Sequence, residues 1–181
     1  MKKGAILLVS VAIGLASCSL NNRPVSYEKF EDKILQLDTK HYEKANVSIK
    51  QTIKYASGKA EITANGFYRY QSSGKYWALG DGSPTLLNSF FPSLPQMSLK
   101  EMKNTSQYDN LVKVSNNNAY VDYYINPIKI SVKYNNPIAE RQNLNYECTF
   151  DKYGWITKYT ENYSDASGEI NTVVSIKYSP S

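Results

Sequence analysis

Few residues in this chain carry side chains able to do chemistry, and their spacing limits what that chemistry is. There is one histidine, His41, and there are two cysteines, Cys18 and Cys148. A zinc site needs several His, Cys or carboxylate ligands held together. A nucleophile relay needs an imidazole beside a hydroxyl or thiol, oriented by a carboxylate. One imidazole cannot serve both needs, and His41 continues an apolar stripe of Tyr27, Phe30, Ile34 and Leu37, where it reads as a packed or surface residue. No phosphate-binding P-loop, dinucleotide fingerprint or Gly-x-Ser-x-Gly elbow occurs. Asp81, between Gly80 and Gly82, is a carboxylate of the kind that ligates Ca²⁺, but Gly-Asp-Gly-Ser-Pro is first of all a turn. Glu28, Glu31 and Asp32 fall on the solvated side of the same stripe. Cys148 sits in an alternating run, Leu144, Tyr146, Cys148, Phe150, and reads as a small buried hydrophobe. We therefore expect no catalytic residue, no metal and no cofactor; the chain reads as a non-enzyme.

Cys18 is the exception, because of what precedes it. Lys2 and Lys3 form a basic start, Ala5 to Leu15 is an uncharged apolar run, and Leu15-Ala16-Ser17-Cys18 closes it. This order is that of an export signal. The run is too short for a membrane span, which takes roughly 20 apolar residues. The Leu-Ala-Ser-Cys ending resembles the lipobox of bacterial lipoproteins. The resemblance implies that residues 1–17 are a signal peptide, that the Cys18 thiol is acylated, and that cleavage leaves Cys18 first. Residues 18–25 are then a lipidated cysteine and short tether, and 26–181 a single domain. Two or more acyl chains, at roughly 0.8 kcal/mol per buried CH₂, hold a protein stably at a bilayer. The expected place is extracytoplasmic, lipid-anchored at the cell membrane or, as Ser19 would permit, the outer membrane. The net charge of +5 falls by two when Lys2 and Lys3 leave with the signal, and the modest positive charge that remains suits an anionic bilayer surface. The lysines are spread along the chain rather than gathered in a stripe, so no nucleic-acid partner is expected. A monomer is expected.

These residues need elements to position them. Ser26 is placed to cap a helix, Glu28 suits its first turn, and the three- and four-residue steps extend the helix over 26–41. From Val47 the period becomes two. Ile49, Ile53 and Tyr55 alternate with Lys50, Thr52 and Lys54, and Ser-Gly turns lead to Ile62–Tyr70 and then to Trp77 and Leu79. The stretch 85–97 differs. It holds Leu86, Leu87, Phe90, Phe91, Leu94 and Met97, while Pro92 and Pro95 prevent a regular element across it. Ser98 is placed to cap a short helix through Met102. Alternation returns at Leu111–Val114, Tyr120–Ile125, Ile128–Tyr134, Leu144–Phe150, Trp155–Tyr163 and Ile170–Tyr178. Sixteen tyrosines against five phenylalanines suit half-buried sheet faces and cavity rims. The reading is α+β: an N-terminal helix packed on a strongly curved antiparallel sheet, open and half-barrel-like, of about eight to eleven strands, since a sheet that long must curl, split or close.

In this order of elements the chain resembles the LolA-like fold of the outer-membrane lipoprotein carriers and the LppX-type lipoproteins. The matching features are the helix at 26–41, the long hairpins at 45–79, the apolar interruption at 82–102 and the ending Phe150-Asp-Lys-Tyr-Gly-Trp-Ile-Thr-Lys-Tyr. The resemblance implies an unclosed barrel whose concave side takes acyl chains. The chain departs from a soluble carrier in its own lipidation signal. A lipid or other hydrophobic small molecule would be held by Phe30, Ile34, Leu37, Ile130 and Val132, with Leu86, Leu87, Phe90 and Phe91 as pocket or lid. The alternative is a surface interaction protein, an adhesin or envelope factor, with a packed core and a Tyr/Asn-rich outer face. For the anchor, metabolic labelling with a fatty acid should mark the chain and fail to mark Cys18→Ser; a labelled Cys18→Ser protein would remove the anchor.

Overall fold

The computed structural model describes residues 23–73, 76–90, 97–114 and 118–180; the signal segment, Cys18 and Phe91 lie outside these. Eight strands, β1 Lys44–Tyr55, β2 Gly58–Gln71, β3 Tyr76–Leu79, β4 Ala119–Ile125, β5 Ile128–Tyr134, β6 Gln142–Phe150, β7 Ile156–Asp165 and β8 Gly168–Ser179, form one sheet. Its order is β3-β2-β1-β8-β7-β6-β5-β4, open rather than closed. Every pairing is antiparallel. Two local meanders are thus joined by one long-range seam, β1 with β8, in register from Lys44↔Ser179 to Lys54↔Glu169.

Alternation puts one face of this sheet in the dry. Ala45, Val47 and Ile49 of β1, Ile128, Ile130 and Val132 of β5, Cys148 and Phe150 of β6, and Val174 and Ile176 of β8 are all buried there. Full burial of each large side chain contributes roughly 1.5–3 kcal/mol. The cover comes from short elements. Helix α1 (Tyr27–Leu35) brings Phe30 and Ile34, and α2 (Leu87–Phe90) brings Leu87. Helix α3 (Leu99–Met102) brings Leu99 and Met102. Helix α4 (Ser106–Tyr108) runs into a π-helical segment, Asp109–Lys113, and these bring Tyr108 and Val112. A narrow gap at β2 lets α2 approach: a Cβ built on Gly66 would lie 2.5 Å from Leu87 Cδ1.

Ser26 caps α1 as expected, and Ser98 with Glu101 forms a full capping box on α3. Two elements differ from the sequence reading. The first helix ends at Leu35 instead of continuing to 41. Beyond it the chain crosses the end of the sheet. Leu37 is buried, the Leu37 carbonyl accepts from Lys100 Nζ at 2.8 Å, and the Lys40 carbonyl accepts from Trp155 Nε1 at 2.6 Å. Lys100 thus takes the Leu37 carbonyl, which a further helical turn would have paired with the His41 N–H. His41 consequently leaves the stripe: it is exposed, 3.9 Å from Glu101 and stacked near Tyr70. The second difference is Leu111–Val114, which is not a strand but lies in and just after the π-helical segment. Its freed carbonyls are taken by tyrosines, with Tyr146 Oη donating to the Leu111 carbonyl at 2.8 Å and Tyr123 Oη to that of Val112 at 2.9 Å.

The register of β5 agrees with the alternation: Ile130 is fully buried and Lys133 exposed. Ile130→Asp should lower stability by roughly 3–5 kcal/mol, the cost of an uncompensated buried charge. Lys133→Ala should stay within about 0.5 kcal/mol. Urea midpoints of the two variants check this, and equal losses would contradict the register.

Candidate functional site

The expected pocket residues divide into three groups. Phe30, Ile34, Leu37, Leu87, Ile130 and Val132 come together, within a single contiguous core. All are essentially inaccessible, Leu37 being the most open at 4%. Phe30 packs against Tyr123 with ring centres 5.0 Å apart. Leu86 does not join them, being 40% exposed. Phe90 ends α2, and Phe91 is outside the described residues. Side chains of the chain itself therefore occupy the face on which a ligand was expected.

Both ends of the dry face are also furnished. At one end Tyr42 stacks on Tyr178 at 4.8 Å, and Trp77 and Trp155 meet edge to face at 6.0 Å. Asp151 fixes this corner. Its Oδ1 accepts from the backbone N–H of Tyr153 and of Trp155, each at 2.9 Å, its Oδ2 accepts from Tyr42 Oη at 2.7 Å, and Gly154 turns the chain at φ +81°. This is the Asp-x-x-Gly turn of the sequence, with a physical role for the carboxylate. At the other end the face becomes polar. Glu161 is 15% exposed and accepts from Arg141 Nη1 at 2.6 Å and from Tyr159 Oη at 2.9 Å. Gln51 Nε2 donates to the buried Thr172 at 3.0 Å. Arg141 is 49% exposed, so the pair is open to water on one side, and the added bond from Tyr159 leaves the Glu161 carboxylate satisfied rather than poised.

The opposite, solvent-facing side of the sheet carries what sequence reasoning did not single out. Asn145, Asn162, Asn171 and Thr52 are register partners across β6, β7, β8 and β1. Asn171 donates to Asn162, and Asn162 Nδ2 donates to Asn145 Oδ1 at 3.1 Å. Asn145 Nδ2 continues the chain to the Asn143 carbonyl at 3.1 Å. A bulge between Gln142 and Asn145, with Asn143 at φ 53°, walls one side of a groove of about 540 Å³ over this row. Each of these asparagines stands at an outward position of an alternating strand, which was legible. That they fall on one transverse row depends on pairing register, which was not.

Other candidates hold no reactive arrangement. Among the described residues no group of three or more His, Cys, Asp or Glu side chains is placed to hold a metal. Burial pushes the Cys148 thiol far above its ordinary value, so it is inert as a nucleophile. No helix among the described residues is long and apolar enough to cross a membrane. Comparison with protein-family models and with characterised proteins gives no match.

Phenols dominate the ionisation of the interior. Burial, the largest cause, pushes Tyr146, Tyr159 and Tyr178 well above the ordinary phenol value, and the Glu161 charge adds to the effect on Tyr159. Tyr68 and Tyr123 are pushed up to about 12, chiefly by burial. The unfolded chain releases these protons near pH ~10 while the folded chain keeps them. Their contribution is therefore complete below about pH 10 and is lost as pH rises through the folded values. In an alkaline titration, tyrosinate absorbance from these five should appear together with loss of the far-ultraviolet circular dichroism signal. Full ionisation of every tyrosine with the fold intact would contradict their burial.

Proposed function

We propose that this chain is a lipid-anchored, extracytoplasmic interaction protein without enzymatic activity, held at the bilayer through Cys18, that meets its partner with an outer surface. A single observation carries the outward-facing part of this reading: Phe30, Ile34, Leu87, Ile130 and Val132 are each no more than 1% exposed, so the covered face is already full. The half-barrel-like curvature expected of a LolA-like sheet fits a face that wraps short helices instead of an acyl chain. A lipid ligand in that position would have to part side chains whose packing contributes roughly 1.5–3 kcal/mol apiece. The anchor rests on the order of Lys2-Lys3, the apolar run and Leu15-Ala16-Ser17-Cys18. With a tether as short as residues 18–25, the domain sits close to the membrane. A monomer with no cofactor and no nucleic-acid partner completes the reading.

Two measurements test it. Labelling of intact cells with a membrane-impermeant amine reagent should mark the lysines of the chain, and protection from it would remove the surface reading. Native mass spectrometry of the Cys18→Ser chain should give the mass of the polypeptide alone. A stoichiometric fatty acid or phospholipid would return the function to the interior, as in a lipid-binding lipoprotein.

A further inference from the structure

We infer that the groove on the solvent-facing side of the sheet, over Asn145, Asn162 and Asn171, binds a neutral, hydroxyl-rich ligand, a saccharide chain. This deepens the reading of the chain as a surface interaction protein and rests on it.

The case starts from hydrogen-bonding capacity. A primary amide has two N–H donors and an oxygen with two lone pairs. Along this row each amide spends one donor on its neighbour: Asn171 to Asn162, Asn162 to Asn145, Asn145 to the Asn143 carbonyl. Each keeps a second donor and spare lone-pair capacity. Sugar hydroxyls both donate and accept, so a row offering the two side by side is their complement. The step also fits, because neighbouring strands lie about 4.8 Å apart, close to the length of one pyranose ring. The amides are only partly accessible and already oriented by one another, so little side-chain freedom remains to be lost on binding.

Charge and backbone weigh against the main competitors. The lysines that border the groove stand beside carboxylates, Lys54 Nζ 3.7 Å from Glu169 Oε2 and Lys59 Nζ 2.6 Å from Glu61 Oε1, which Lys50 shares. These exposed pairs contribute little, and the polyphosphate comparison below separates an anionic ligand from a neutral one. The row lies in mid-sheet, where β6, β7, β8 and β1 each have a strand on both sides, so no peptide can add there as a further strand. Aromatic anchors of the kind that dominate protein interfaces are scarce on this lining, which is mostly Asn, Thr, Ser and Lys. The volume of about 540 Å³ is that of a small-ligand cleft.

The test is isothermal titration of the full lipidated chain, in a detergent without a sugar headgroup, against N-acetylglucosamine tetrasaccharide, maltotetraose and cellotetraose, with polyphosphate as the anionic comparison. Saturable binding of a neutral oligosaccharide is expected, weakened at least about tenfold in Asn162→Ala. Because Asn162 bonds on both sides and its loss can disturb folding, Thr52→Arg is the second variant. It leaves the amide row intact and fills the groove from a solvent-facing position, and it should abolish binding with an unchanged melting temperature. Absence of binding to all three oligosaccharides would overturn the inference, as would binding of polyphosphate alone or full affinity in Thr52→Arg. Saccharide binding by a chain that intact-cell labelling finds protected would keep this site and remove the surface reading. A labelled chain that binds no saccharide would do the reverse.

Discussion

The pairing of the first strand with the last is the constraint on which everything else hangs. β1 and β8 are more than a hundred residues apart in sequence, and among the described strands theirs is the pairing that joins the β3-β2-β1 and β8-to-β4 meanders. It places Val47 opposite Ile176 and Ile49 opposite Val174 on the dry face, and Thr52 opposite Asn171 on the wet one. Because strand side chains alternate with a period of two, slipping this seam by one residue would turn both sets over at once. Core and groove are thus two readings of one register. The loop-closure cost of so distant a pairing grows only slowly with separation, so a wide apolar seam can offset it.

The abundance of tyrosine has a structural account in the cover of the sheet. The elements over the dry face are short: α2, α3 and α4 span four, four and three residues. Short helices leave most of their terminal carbonyls without intrahelical partners. A phenylalanine beneath them would bury apolar area but satisfy nothing. Tyr123 and Tyr146 bury their rings and donate to the carbonyls of Val112 and Leu111 in the π-helical segment after α4, while Tyr178 serves the first carbonyl of β7, that of Ile156, at 2.8 Å. Tyr27 donates to Glu31 at 2.8 Å and so links α1 to the Lys103 ion pair. The hydroxyls do for irregular backbone what a ladder does for strands.

How much of this was legible depends on how far each signal reaches along the chain. The cap at Ser98, the turn at Asp151–Gly154 and the alternation of Ile128, Ile130 and Val132 are local, and each appears as read. The end of α1 is not local. Leu37 and His41 keep helical spacing on paper, yet partners on Lys100 and Trp155 hold that stretch outside the helix. Leu111 and Val112 look like strand residues because β-branched and aliphatic types serve either period. The pocket residues illustrate a deeper limit. Phe30, Ile34, Ile130 and Val132 do converge, but the periodicity that marks a cavity wall also marks a core, and only packing separates the two. The asparagine row has no periodic signature at all, since its members lie on three strands and meet through register alone.

The position of β8 also sets the order in which this architecture can be completed. The last strand of the chain is not an edge but an interior member of the sheet, with β1 on one side and β7 on the other. A polypeptide emerging N-terminus first can form the β1–β2 hairpin early and the β4–β5 hairpin later. The two halves have nothing to close on until Ile170, Val174 and Ile176 arrive. Nearly the whole length must be present before the apolar face is sealed, so a partly emerged chain stays open and threadable. Under the proposal of an exported, lipid-anchored chain, late closure of this kind suits passage through a narrow pore ahead of folding.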